Sequence, residues 1–204
     1  MNGVWIFVCG PSGAGKDSVI TLAQQLVGES HHIVFARRMV TRPAQTGSDH
    51  DPVTPDDFQA MVQAGGLRWH WQAHGFYYGI PQRYAAVVQA GGTVVINGSR
   101  AHVQALLPAH NVRLVHITAS PDQLAQRLSL RARDTASAVT ERMARNTRFN
   151  GLQMDRLIVN DGALAIAARA LADYLMTFKT AGLLRITALT PAPAEYALTP
   201  SQSV

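Results

Sequence analysis

One stretch governs what this chain can become: VCGPSGAGKDSVI, Val8 to Ile20. It follows an apolar run, GVWIFVCG, and opens KDSVITLAQQLV, where Val19, Leu22, Ala23 and Leu26 recur at helical spacing. Strand, glycine loop, helix is the order that gathers backbone N–H groups around a phosphate, with the positive end of a helix behind them. The pattern G-x-x-x-x-G-K-[ST] is met by Gly10, Gly15 and Lys16, with Pro11, Ser12, Gly13 and Ala14 between. Gly10, Gly13 and Gly15 supply the curl, and Lys16 the charge for the β- and γ-phosphates of ATP. The pattern breaks at Asp17, where a hydroxyl is asked for; Ser18, one place on, cannot occupy the same geometry. Two readings of Asp17 stand. It is a hard oxygen ligand for Mg2+, bound directly or through water, or an acid that only caps the helix N-terminus.

The rest of the chain alternates strand-like and helix-like segments. HHIVFARRMVT reads as a strand running into basic residues, and RPAQTGSDHDPVTP as a loop. TPDDFQAMVQAGG has a helix entry, with Thr54 as N-cap, Pro55 at the first position and acids in the first turn. LRWHWQAHGFYYGIP reads as a small hairpin turning at HG, with Trp69 and Trp71 packing one face. PQRYAAVVQAGG, SRAHVQALLPAH, SPDQLAQRLSLRARD, SAVTERMARNTRFNG and ALAIAARALADYLMTFK read as helices, and TVVING, VRLVHITA and RLIVNDG as strands. This order gives an α/β fold around a mainly parallel sheet flanked by helices. After Lys179 periodicity fades and Pro, Thr and Ser accumulate, so 180–204 reads as a partly flexible extension.

Charge and composition narrow the function. Of 18 basic residues only Lys16 and Lys179 are lysines, and the net charge is +5. Without an aromatic–basic pattern this fits a phosphorylated small molecule better than nucleic acid. No apolar run reaches the roughly 20 residues of a membrane span, and the N-terminus lacks the marks of a signal peptide. The single cysteine, Cys9, lies in an apolar strand and reads as buried; a cytoplasmic protein is expected. His70 and His74 fall in a hairpin with no acidic third ligand, so zinc is not expected. Asp49 and Asp51 read as solvated loop acids, with contact to a sugar hydroxyl or an ion the lesser alternative. The composition does not give an oligomeric state.

Around GPSGAGK, further segments fall into register with a known family. TRP at Thr41–Pro43, HGFYYGIP at His74–Pro81, RLSLRARD at Arg127–Asp134 and LIVND at Leu157–Asp161 resemble, in order, segments of the guanylate kinase family of P-loop kinases. The resemblance implies a guanylate kinase-like domain over 1–179, with an acceptor-binding insert near 36–92 and a lid near 128–147. It implies that Asn160 belongs with the ATP-binding set Gly10 to Ser18, and that Lys16, Arg127, Arg131 and Arg142 serve catalysis. For Arg127, Arg131, Arg133, Arg142 and Arg145 the competing reading is solvated helix charge.

The acceptor positions depart from that family. Its base-pairing glutamate aligns with Gln72, its hydroxyl after YYG with Ile80, and the aspartate at the end of its strand with Asn97. Its second arginine falls at Gln45 and its phosphate-binding tyrosine at His50. Arg38, Arg42, Tyr78 and His50 keep the equipment for an anion. Losing partners built for a base costs ~10⁴-fold by analogy with other polar recognition sites, so GMP is expected to be a poor acceptor. GPSGAGKDS with HWQAHGFYYGIP is similar instead to the ribose 1,5-bisphosphate phosphokinases of bacterial phosphonate catabolism, which implies a phosphorylated sugar as acceptor. Two rivals are a guanylate kinase with relaxed recognition and a silent binding module, although such modules usually lose the loop that Gly15 and Lys16 retain here.

The loop assignment gives a direct expectation. Lys16→Ala abolishes phosphoryl transfer while the fold survives, because the β- and γ-oxygens lose their cation in the transition state. Steady-state rates beside a circular dichroism melt check this, and near-wild-type turnover in a folded variant overturns it.

Overall fold

The computed structural model describes residues 3–30, 32–43, 49–107, 109, 111–129 and 153–178. Two sheets organise them. The larger contains β1 (Val4–Cys9), β2 (Ile33–Ala36), β7 (Thr93–Asn97), β8 (Val112–Thr118) and β9 (Arg156–Val159) in the order β2-β7-β1-β8-β9, with every pair parallel. A parallel sheet must be covered on both faces, and β1 shows how. Ile6 and Val8 point to one core, Trp5, Phe7 and Cys9 to the other, and all five are buried.

The first core is closed by α1 (Lys16–Val27), α5 (Pro121–Ser129) and α6 (Leu164–Met176). Val19 and Ala23 of α1 meet Ala167, Ala168, Leu171, Ala172 and Leu175 of α6 in one cluster; the small side chains let the two helices lie close over the sheet. The second core is closed by α3 (Tyr84–Gln89) and α4 (Arg100–Leu106). Cys9 is fully buried there, and burial pushes its thiol up to about 12, which leaves it an inert packing group.

The smaller sheet comprises β3 (Arg38–Val40), β4 (His50–Pro52), β5 (Leu67–Ala73) and β6 (Phe76–Pro81), ordered β4-β3-β6-β5. The expected hairpin is β5 and β6, turning at His74 and Gly75, both at positive φ. Helix α2 (Pro55–Gln63) starts where expected: the Thr54 hydroxyl accepts from the Asp57 N–H at 3.1 Å.

Two expectations need correction. The segment read as one strand from His31 onward is two, β2 in the large sheet and β3 in the small one, divided at Arg37. The Arg37 N–H donates to the Tyr84 hydroxyl at 3.0 Å, and its guanidinium binds Asp49, Asp51 at 2.8 Å and the His50 carbonyl oxygen at 3.2 Å. Asp49 and Asp51, read as solvated loop acids, are therefore the partners of Arg37, and the end of that loop is strand β4, parallel to β3. Gln45, Arg131, Arg133, Arg142, Arg145, most of the expected lid and 180–204 lie outside the described residues.

The packing beneath the glycine loop generates a stability prediction. Leu171 is fully buried between α1 and the sheet. Leu171→Ala should lower unfolding free energy by roughly 2–5 kcal/mol, the range for deleting a buried leucine side chain. Urea denaturation checks it, with a lower midpoint at unchanged slope.

Candidate active site

Strand β1 lies between β7 and β8, with β2 beyond one and β9 beyond the other, so the loop after β1 sits at the switch point of the sheet. Ligands of open α/β sheets bind there, beyond the carboxyl ends of the strands. The first loop glycine is fixed by close approach: a Cβ at Gly10 would stand 2.0 Å from the Ile117 carbonyl oxygen of β8. Gly15 is fixed by conformation, at φ 74°, and by Asn160, whose amide nitrogen would lie 2.6 Å from a Cβ there. Asn160 is buried and donates from Nδ2 to the Ala14 carbonyl oxygen at 2.9 Å. Expected in the ATP-binding set, it holds the loop's own backbone, and its described contact is with protein. Pro11, Gly13 and Ala14 are buried, while Ser12, Asp17 and Ser18 are exposed at the mouth.

Lys16 opens α1 with its side chain largely enclosed, and burial holds its ammonium below the ordinary value while the charge of Asp17 pulls the other way. Its Nζ is 3.7 Å from Asp17 Oδ1. The same oxygen accepts a hydrogen bond from Nδ2 of Asn97, the last residue of β7. Gly15 is the N-cap of α1, and Asp17 lies in the first turn, where both readings of its carboxylate stand. Asn97, expected in the acceptor site, is tied by this bond to the glycine loop. With Asp17 it lines a cleft of about 310 Å3 that runs past Ile20, Phe35 and Val95.

The acceptor residues divide by face. Strand alternation puts Trp69 and Trp71 of β5 on the inner face, opposite Ile80 and Tyr78 of β6. Tyr78 is buried and stacks on Trp71 at 5.5 Å between ring centroids, 8° from parallel. The Arg38 guanidinium stands 5.6 Å over the Tyr78 ring. Gln72 pairs with Tyr77 and is exposed on the outer face, beside neither Tyr78 nor Arg38. Alternation separates it from Trp71 and Tyr78, since neighbouring strand residues face opposite ways. His50 is buried with its Nε2 3.1 Å from the Arg42 carbonyl oxygen, so it buttresses the segment that carries Arg42. Arg42 lies 6.0 Å over the Phe76 ring.

Arg38 is coupled to both Asp17 and Arg42, and burial holds its guanidinium below the ordinary value. Among the described residues it forms no ion pair, and its buried Nε has no hydrogen-bond partner. Arg127 of α5 likewise has a buried Nη1 without a partner, 3.8 Å from the Cβ position of Gly15. An unmet buried donor costs about 1–3 kcal/mol, more when charged, and an anionic ligand removes that cost. Among the described residues no group of three or more His, Cys, Asp or Glu gathers as a metal site, His70 and His74 included.

Sequence reasoning missed His102. On α4 it stacks against Trp71 at 4.6 Å and 17°, with a buried Nε2 that has no partner. Burial, and then His70, hold its imidazole below the ordinary range. Nothing in AHVQALL distinguishes this histidine from any other helical one; only the fold brings it to Trp71.

Comparison with known proteins agrees with this geometry. The family described as AAA domain matches residues 6–146. Ribose 1,5-bisphosphate phosphokinase PhnN of Bradyrhizobium diazoefficiens is 41% identical over 167 residues, covering 81% of this chain and 84% of the relative. The protein of the same name from Burkholderia mallei is 40% identical over 83% of this chain and 94% of its own length; that of Rhodopseudomonas palustris is 44% identical over 69% and 73%. Among solved structures, guanylate kinase of Anaplasma phagocytophilum superposes with TM-score 0.62 at 18% identity, over 86% of each chain, and shares the fold. The chain thus belongs to the ribose 1,5-bisphosphate phosphokinase family, on a guanylate kinase-like P-loop fold.

Proposed function

We propose that the chain transfers the γ-phosphoryl group of ATP to ribose 1,5-bisphosphate, giving 5-phosphoribosyl 1-diphosphate and ADP, in service of phosphonate degradation and 5-phosphoribosyl diphosphate supply. The observation that carries the reading is Arg38: a guanidinium held on the inner face of the small sheet, without a carboxylate partner among the described residues, beside the loop that holds Lys16. Its neighbour Arg42 supplies a second cation, which suits an acceptor carrying two phosphates. The relatives named for this reaction support the same substrate.

The chemistry asks for alignment more than for a base. An oxygen of the 1-phosphate, already ionised near neutral pH, attacks the γ-phosphorus. The bond from that phosphorus to the bridging oxygen of ADP breaks, and ADP leaves with the electron pair. Lys16 steadies charge on the transferred group, Arg127 stands at the loop, and Arg38, Arg42 and Tyr78 orient the acceptor. Asp17 fits a magnesium site, because that cation is usually held by one or two carboxylates with phosphates and water completing its shell. When bound, Mg2+ would neutralise charge on the triphosphate, and Asp17 would hold it. Arg131 and Arg142, outside the described residues, are proposed for a lid near 128–147, closing on an acceptor insert near 36–92 within a domain spanning 1–179. No described helix is long and apolar enough to cross a membrane; we place the enzyme in the cytoplasm, acting on small molecules.

The guanine-reading alternative finds no support on the inner face. There β5 and β6 present Trp69, Trp71, Tyr78 and Ile80, and none of these is a carboxylate.

Two measurements test the proposal. The kcat/KM for ribose 1,5-bisphosphate should exceed that for GMP by at least ~10³; equal or better turnover of GMP overturns the acceptor assignment and leaves the kinase fold standing. Asp17→Asn should raise the Mg2+ concentration needed for half-maximal rate, while Asp17→Ser, which restores the common loop, keeps substantial activity. Unchanged magnesium dependence in Asp17→Asn removes the metal role.

A further inference from the structure

We infer that Asn97 is a positioning residue for Asp17, and that the two together reverse the usual distribution of groups at the metal side of a phosphate loop. The inference rests on the magnesium reading of Asp17 given above. In P-loop enzymes the metal is held by the loop hydroxyl and by an aspartate from elsewhere in the fold. Here the loop position holds the carboxylate, and the residue that reaches it from a strand holds an amide. One negative charge is present at this pair, carried by the loop.

The register of the large sheet makes this contact. Asn97 ends β7 opposite Val8 of β1, two residues before Gly10, so its side chain stands where the loop turns into α1. Asp17 is the second residue of that helix and its side chain is 50% exposed. A carboxylate reaches one atom further than a serine hydroxyl and has an extra rotatable bond, so it needs support to hold one orientation. Two groups give it: Asn97 Nδ2 donates to Oδ1, and Lys16 Nζ lies 3.7 Å from the same oxygen. An amide suits this place because it is uncharged and brings both a donor and an acceptor. A carboxylate there would repel Asp17, and an aliphatic side chain would remove one of these two supports. The other end of the amide is informative too. Asn97 Oδ1 is buried and, among the described residues, accepts no hydrogen bond, beside the cleft that Asp17 also lines. An acceptor next to the Asp17 carboxylate suits a water molecule carried by a cation.

The test is a thermodynamic cycle read by binding. ATP binding to the full chain, without acceptor, is measured by calorimetry as MgCl2 is titrated, for wild type, Asn97→Ala, Asp17→Ser and the double variant. Asn97→Ala should raise the Mg2+ needed for half-maximal binding about tenfold, the lower end for losing a partner that orients a metal ligand. Magnesium-free ATP affinity and the melting temperature should stay near wild type. In the Asp17→Ser background, Asn97→Ala should change the half-maximal Mg2+ by less than about twofold, because the carboxylate it orients is gone. Asn97→Asp, which keeps the side-chain volume if the alanine variant does not fold, should be harmful alone and harmless with Asp17→Ser, whose introduced hydroxyl can donate to it. An unchanged magnesium requirement in Asn97→Ala, or an equal shift in both backgrounds, overturns the inference. If Asp17→Asn itself leaves magnesium dependence unchanged, the metal reading falls and this inference with it, while the choice of sugar acceptor is untouched.

Discussion

The close approach of the glycine loop to strand β8 is the constraint on which the site depends. Gly10 lies so near the Ile117 carbonyl oxygen that no side chain fits, and Asn160 pins the Ala14 carbonyl oxygen from the far end of the sheet. These contacts set the curvature of the loop before any ligand arrives. Lys16 and Asp17 inherit their positions from it as the first residues of α1, and α1 is held in turn by the alanine-rich face of α6. A backbone anion site needs this kind of rigidity, since its N–H groups are useful only when they converge on one point. Ser12, Asp17 and Ser18 are exposed at the mouth of the loop.

Positive charge held away from water is the second theme. Lys16 and Arg38 are both driven by burial toward the neutral form, a cost that the protein meets with few carboxylates. The contrast with Arg37, one residue from Arg38, is instructive. Arg37 is half exposed and takes Asp49 and Asp51, fixing the junction between the two sheets. Arg38 is buried and has the Tyr78 ring for company. Two adjacent arginines of identical intrinsic chemistry are thus divided by strand geometry into one that pairs with two carboxylates and one that, among the described residues, forms no ion pair.

Much of this was legible in the sequence, for reasons that can be named. The loop, its strand and its helix were read correctly because glycine spacing, apolar run and helical period all agree over one short segment. The strands of the large sheet were legible as apolar runs, since a parallel sheet buries both faces. What escaped reading depends on long-range contacts. The break between β2 and β3 has no proline or glycine to announce it; it is made by Arg37 reaching Tyr84 and Asp51. Gln72 was placed by alignment to a motif, yet a motif does not state which way a strand residue faces. The alternation of Trp69 and Trp71 with His70 and Gln72 already held that information, because the two tryptophans had to share a face and Gln72 had to lie opposite. His102 carried no local signal. The tie of Asn97 to Asp17 was not legible, because it arises from the pairing of β7 with β1.

The two halves of the site are joined by a continuous physical path. Asn97 closes β7 and touches the loop carboxylate; α4 begins three residues later and carries His102. His102 lies flat against Trp71, Trp71 against Tyr78, and Arg38 over Tyr78. The donor side and the acceptor side therefore hang from adjacent residues of one strand–helix unit, and the ring stack transmits the position of that unit to the small sheet. Phosphoryl transfer rewards such a construction. With no base to place and little covalent work for the protein, rate depends on holding the acceptor oxygen in line with the γ-phosphorus, where a misplacement of about 1 Å can cost on the order of a hundredfold. A stack of flat rings resists sliding less than a hydrogen bond resists breaking, but it keeps the spacing between its members. Spacing is what the in-line geometry requires, and it explains why aromatic residues occupy the inner face that joins the acceptor sheet to the core.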